Sequence, residues 1–244
     1  MKQQKNESVK IMELDNYIEQ IKPLDEDAVN AAWAHWDSLC KPLRGMGRLE
    51  EMAVQLAGIY GTAKLGEIAD LKPVVAIMGA DNGVVAEGVS QTGSEVTAQV
   101  LENMGDRKSS VCIMSRQMGI EVIPVNIGMF VDGKHPRIWN RVVRYGTANM
   151  AKEPAMTRET AVSAIAAGIS VAGELKEKGY RLIATGEMGI GNTTTSSAVA
   201  AMLLDRDPAE MTGRGAGLSD EGLMKKISVI REAVKRYGPE CRDA

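Results

Sequence analysis

The chain has 244 residues, 44% hydrophobic and 25% charged, with a formal net charge of −3. It has room for one large domain plus a small appendage and the composition of a water-soluble globular protein. A mildly acidic chain with scattered Lys and Arg argues against nucleic acid or an anionic membrane as main partner, and no apolar run approaches the roughly 20 residues of a membrane helix.

Residues 1–25 are polar and are expected to be loosely attached, with no apolar signal region, so a cytoplasmic protein is expected. Helices are predicted at Asp27–Leu39 and Arg48–Tyr60, joined by a turn through Pro42, Gly45 and Gly47. They form a helical N-terminal part, residues 1–65. Three short apolar runs follow, Pro73–Met78, Glu121–Ile127 and Arg181–Thr185, each with glycine close behind. Helical patterns alternate with them: Ser94–Met104 with Ser109–Met118, Thr157–Lys178 closed by Gly179, and Thr193–Leu204. A last helix opens at Ser219 with Asp220 and Glu221 in its first turn and stops at Gly238–Pro239. Such βα alternation predicts an α/β fold, a Rossmann-like doubly wound parallel sheet flanked by helices, over residues 66–244. The tail after the last helix is no natural way to finish a sheet, so this part reads as incomplete at its C-terminal end. Cys40, Cys112 and Cys241 are far apart, and His35 and His135 have no third ligand nearby. Neither a disulfide framework nor a metal site is therefore expected.

Ligands of doubly wound sheets bind beyond the carboxyl ends of the strands, so three turns become candidates together. Gly186, Gly189 and Gly191 surround Glu187, and a row of hydroxyls, Thr193 to Ser197, opens the next helix after Asn192. Free N–H groups at a helix start suit an anion. A carboxylate repels one, so the loop implies a ligand with one anionic end and one end that wants a proton acceptor. The loop lacks the lysine of a Walker loop and the spacing of a dinucleotide fingerprint. The second turn, 79–90, would place Asp81, Ser90 and Gln99 along the same crevice. The third, 212–220, reads as a second phosphate cradle in which Arg214 or Lys226 neutralises a monophosphate. The plainer alternatives are a structural glycine turn, a simple Asp-Asn-Gly turn, and a flexible loop beside a solvated basic pair.

Glu187-Met-Gly-Ile-Gly-Asn-Thr-Thr-Thr-Ser-Ser197, Thr212-Gly-Arg-Gly-Ala-Gly-Leu-Ser-Asp220, Asp81-Asn-Gly-Val-Val-Ala-Glu-Gly-Val-Ser90 and Val96-Thr-Ala-Gln99 closely resemble the nicotinate-nucleotide–dimethylbenzimidazole phosphoribosyltransferases, as does Arg48-Leu-Glu-Glu51. The similarity runs from about residue 35 to the end, in the family's order. It implies a cobalamin-pathway enzyme that transfers the 5-phosphoribosyl group of nicotinate mononucleotide to 5,6-dimethylbenzimidazole, giving α-ribazole 5′-phosphate and nicotinate. By the same resemblance Gly189, Gly191, Asn192, Thr193 and Lys226 hold the phosphate end, with Thr194, Arg214 and Gly215 beside them. Ser90, Gln99, Glu187 and Met188 line the base pocket, with Asp81. The family is a homodimer with a Rossmann-like domain and a small helical domain. Nicotinate rather than pyrophosphate departs, so neither magnesium nor another cofactor is implied, and the paired acidic motif of diphosphate-using transferases is absent. One departure stands out. The residue usually assigned as catalytic base is a Glu in a C-terminal Gly-Glu-Gly segment, which this sequence lacks. Glu187 is then the remaining candidate base, and the chain is expected to cover the first two-thirds of a family member. Two other readings follow: a binding module that holds nucleotide or benzimidazole without turnover, and a plain α/β domain with structural loops.

Overall fold

The computed structural model describes residues 16–64, 66 and 71–238, and the chain divides into two compact units between Lys72 and Pro73. Residues 1–15 of the expected polar start at 1–25, the Pro239 stop and Cys241 lie outside the described residues.

The first unit holds α1 (Glu26–Ser38) and α2 (Arg48–Tyr60). Helix α1 begins one residue before the expected Asp27, because Asp25 caps it: its Oδ1 accepts the Ala28 N–H at 2.8 Å. Helix α2 ends on Gly61, whose φ of +64° is a left-handed cap. Ala32, Val54 and Ala57 form the core between them. Fully buried Glu50 accepts from Lys41 Nζ at 2.9 Å and from the Met46 N–H at 3.0 Å, which holds the connecting turn in place.

The second unit runs β1 (Pro73–Ala80), a 3₁₀ turn (Gly83–Glu87), α3 (Glu95–Gly105), α4 (Ser110–Gln117), β2 (Glu121–Gly128), β3 (Trp139–Asn140), α5 (Arg158–Glu177), β4 (Leu182–Met188), α6 (Asn192–Leu203), α7 (Pro208–Met211) and α8 (Asp220–Tyr237). All strand pairs are parallel, in the order β3-β2-β1-β4. The chain thus leaves β1 toward β2 on one side and returns to β4 on the other. Right-handed crossovers in opposite directions put their helices on opposite faces of the sheet. The core has that form: Val74, Ala76, Ile123 and Val125 pack on Val171 and Leu175 of α5, while Ile77 packs on Met104 of α3 and Cys112 of α4. This is the α/β, doubly wound sheet expected from the sequence.

Three details differ from the expectation. Strand β4 runs to Met188 rather than stopping at Thr185, because Gly186, Glu187 and Met188 continue the ladder opposite Ile77, Met78 and Gly79 of β1. Interstrand hydrogen bonds outweigh the local preference of glycine for a turn. The Asp-Asn-Gly segment leads into the 3₁₀ turn closed by Gly88 at φ +66°. Strand β3 has two residues, too few to carry a period. No helix among the described residues is long and apolar enough to cross a membrane.

The reversal of strand order at β1 sets its carboxyl end beside that of β4. In open α/β sheets such a switch point is where the crevice opens.

Candidate active site

The β1 end is fixed first. Asp81 is 2% exposed, and its Oδ2 accepts the Phe130 N–H at 2.8 Å. Its backbone bonds Gly128 and Thr147, so it ties together the loops that follow β1 and β2. Asp81 was expected to face the crevice; the structure instead buries it beneath, with Oδ1 unpartnered. Asn82 continues the scaffold, donating to the Ile190 carbonyl at 3.1 Å and accepting from Thr195 Oγ1 at 3.0 Å. From α3, Thr97 Oγ1 accepts the Ile190 N–H at 3.0 Å. Two elements therefore clamp the β4–α6 turn. Gly189 sits so close to β1 that a Cβ there would lie 2.1 Å from the Ala80 carbonyl oxygen. Gly191, at φ +87°, begins α6 in a conformation that side chains disfavour.

Above this turn lies a cavity of about 330 Å³, within the size range of small-molecule sites. Met188, Gly189, Gly191, Asn192 and Thr193 line one wall, Ser90 and Gln91 a second, and Arg214, Gly215 and Lys226 a third. The second and third walls meet where Gln91 Nε2 donates to the Gly217 carbonyl at 2.5 Å. Nothing in the sequence marks Gln91, because its partner lies 126 residues away.

Lys226 is the unusual group. It is 1% exposed, yet its Nζ meets only neutral oxygens, Thr193 Oγ1 at 2.7 Å and the Gly213 carbonyl at 3.1 Å. It forms no ion pair with a carboxylate among the described residues, and burial alone pushes its pKa below the usual lysine value. A desolvated ammonium without a counter-ion is a standing cost. Gly215 lets the loop lie against this pair, since a Cβ there would meet Thr193 Oγ1 at 2.9 Å.

The hydroxyl row divides. Thr193 alone of the five lines both the helix start and Lys226; Thr195 serves Asn82, and Ser197 donates to the Met211 carbonyl at 2.9 Å. Thr194, expected beside the phosphate, is fully buried outside the cavity with its Oγ1 unpartnered. A turn of 100° per residue spreads five consecutive side chains around the helix, so a row in sequence is not a row in space. Arg214 lines the cavity, but its guanidinium bonds the Asp220 carboxylate and, at 2.9 Å, the Leu218 carbonyl. Gln99 lies exposed on α3, outside the cavity lining.

Glu187 stands at the margin. Strand alternation places it on the sheet face of Ile183 and Met188 on the other, so neighbours in sequence serve different sides of the strand end. Its side chain is exposed at the sheet edge, but the packed strand ends desolvate the carboxylate and raise its pKa, a rise that a hydrogen bond from Asn192 partly offsets.

The β4–α6 turn, clamped on β1 beside a desolvated lysine, is built from the sequence segments that carry the resemblance. A family model described as phosphoribosyltransferase matches residues 21–244. The chain belongs to that family. The nicotinate-nucleotide–dimethylbenzimidazole phosphoribosyltransferase of Clostridium tetani is 43% identical over 94% of this chain and 63% of its own length. The enzyme of that name from Chloroflexus aurantiacus is 44% identical over 93% of this chain and 64% of its own length. The crystal structure of CobT from Thermus thermophilus matches with a TM-score of 0.81 at 37% identity, over 88% of this chain and 64% of that one. The chain thus spans slightly less than two-thirds of these phosphoribosyltransferases.

Proposed function

We propose that this chain binds nicotinate mononucleotide and 5,6-dimethylbenzimidazole at the β4–α6 turn and transfers the phosphoribosyl group between them, in the synthesis of a cobalamin nucleotide loop. The observation that carries the reading is Lys226, a buried ammonium lining the cavity without a carboxylate partner among the described residues. A ligand phosphate supplies the missing counter-charge, and Thr193 and the glycine turns supply close backbone approach. Relatives that cover most of this chain carry the name of this reaction.

In the reaction the bond from ribose C1′ to the pyridinium nitrogen breaks, and its electron pair neutralises departing nicotinate. A ring nitrogen of dimethylbenzimidazole forms the new bond to C1′, and the proton on its other nitrogen passes to Glu187. A carboxylate with a raised pKa is the better base for that step. The transition state is oxocarbenium-like, so positioning the two rings supplies much of the catalysis. No metal is required to neutralise a pyrophosphate, because none departs.

We further propose a cytoplasmic homodimer. Val199 and Leu203 of α6 and Leu204, which caps it, border an apolar groove, and exposed apolar surface of this kind favours association. Sedimentation at micromolar concentration that shows only monomer would remove this part of the proposal.

Calorimetry with each substrate and a turnover assay on the 244 residues test the transferase reading. Formation of α-ribazole phosphate supports it. Binding of both ligands without product would make the chain the substrate-holding part of a longer machine, as its share of the relatives' length allows. Glu187→Gln is expected to weaken dimethylbenzimidazole binding about tenfold and nucleotide binding less. Its parent's kcat/KM should fall as pH drops through a value above 4.5, the ordinary glutamate figure, since the raised pKa protonates the base early. If Glu187→Gln keeps that acid limb, Glu187 is not the base.

A further inference from the structure

The first turn of α6 offers fewer free donors than a helix start usually does. Asn192 N–H bonds the Gly189 carbonyl at 3.0 Å, and Thr194 N–H bonds the Gly191 carbonyl at 3.0 Å. The Thr193 N–H is taken by the side chain of Asn192, whose Oδ1 accepts it at 2.7 Å. The other end of that amide, Nδ2, donates to the Glu187 carboxylate. One side chain therefore satisfies the donor best placed for a phosphate and the acceptor best placed for an azole N–H. Thr193 continues the connection, since its Oγ1 accepts from Lys226.

We propose that Asn192 is a positioning residue that couples the two ends of the site, its amide occupying the Thr193 N–H and Glu187 until a ligand phosphate displaces it. The proposal rests on the transferase reading above. An arriving phosphate, drawn by Lys226, competes with Oδ1 for the Thr193 N–H. Once Oδ1 loses that bond the amide is free to rotate, Nδ2 leaves Glu187, and the carboxylate can accept the N–H of the base. Nucleotide binding thereby raises affinity for the base, and linkage makes the effect reciprocal. Asn192 touches neither reacting atom and acts through Glu187 and the helix backbone. The charged groups on surrounding elements include Asp81 after β1, Glu95 opening α3, Arg158 and Glu159 opening α5, Arg214 before α8 and Lys226 within it. None of them contributes to the shift of Glu187, which burial and the Asn192 amide account for.

The sign of one variant separates this role from that of a simple phosphate ligand. In Asn192→Ala the Thr193 N–H has no internal competitor. Affinity for inorganic phosphate and for nicotinate mononucleotide is therefore expected to rise about threefold to tenfold, whereas loss of a ligand would lower it. In the wild type, saturating nicotinate mononucleotide should tighten dimethylbenzimidazole about tenfold, a usual size for coupling; in Asn192→Ala that ratio should fall to one. The pH at which base binding is lost should also move up, because the amide that offsets the rise in the Glu187 pKa is gone. Asn192→Asp is the second variant: it keeps an acceptor on the Thr193 N–H but faces Glu187 with an oxygen. It should raise the same pH midpoint without tightening phosphate. Weaker phosphate binding in Asn192→Ala, or additive binding in the wild type, overturns the coupling and leaves the transferase reading standing. Failure of the wild type to bind either substrate removes that reading itself.

Discussion

Lys226→Met is expected to weaken nicotinate mononucleotide binding about 100-fold while leaving the protein at least as stable as its parent. Methionine fills the same volume with an unbranched side chain and removes a charge that is 1% exposed and meets only neutral oxygens. The ammonium strengthens binding because the phosphate takes up its unbalanced charge; charge-assisted bonds of this kind contribute about 2–4 kcal/mol once desolvated. Without a ligand the same charge opposes folding. The sign follows from the protons. Burial lowers the folded-state pKa below 10.5, so the unfolded chain binds more protons in the window between the two values, and stability rises with pH across it. Below that window the cost of the buried charge is fully present, and Lys226→Met relieves it, by about 1 kcal/mol after its two hydrogen bonds are lost. Melting curves from neutral pH to about pH 10 should therefore show the variant's advantage shrinking as pH rises. Calorimetry should show wild-type nucleotide affinity falling through the same window, as the ammonium loses its proton. A variant that loses both stability and binding would make Lys226 part of the folding core.

The contrast between Lys226 and Arg214 shows what the sequence could say. Both are cations near a glycine-rich segment, and residue type alone made either a phosphate ligand. Three-dimensional pairing separates them: Arg214 has the Asp220 carboxylate, and Lys226 has no such partner among the described residues. The sheet was legible because its signals are local, with apolar runs that end in glycine and helices that open on caps such as Thr157 and Ser219. The end of β4 was not, since the ladder with β1 decides whether Gly186 to Met188 are strand or turn. The hydroxyl row was legible as a helix start and misleading as an anion cradle, because helical rotation sends Thr194 inward and Thr195 to Asn82. Asn192 stands out in the sequence for its place in the turn; that its amide faces two ways depends on the fold around it. Such cases share a cause, in that each depends on a partner distant along the chain or on the direction of a side chain.

Two glycine-to-alanine substitutions are expected to move stability in opposite directions, and the larger effect belongs to Gly189. Its added Cβ would lie 2.1 Å from the Ala80 carbonyl oxygen, a backbone atom of the residue that pairs with Gly128 in the parallel β1–β2 ladder, which a rotamer change cannot move. Relief requires β1 and β4 to separate at the point where Thr97 and Asn82 clamp the turn. Such overpacking costs about 2–3 kcal/mol, or roughly 5–10 °C in melting temperature for a unit of this size. Because the same peptide begins the cavity wall, substrate affinity should fall even at temperatures where the variant stays folded. Gly168, in the middle of α5, has open space where an added methyl group would point, with nothing within 4 Å, and a right-handed helical neighbourhood. Gly168→Ala is expected to stabilise by about 0.5–1 kcal/mol through reduced backbone freedom in the unfolded chain, and to leave binding unchanged. Denaturant titration of the two variants beside the wild type reads both effects. A Gly189→Ala variant as stable as the wild type would mean that the close approach of β1 and β4 does not require glycine at the turn.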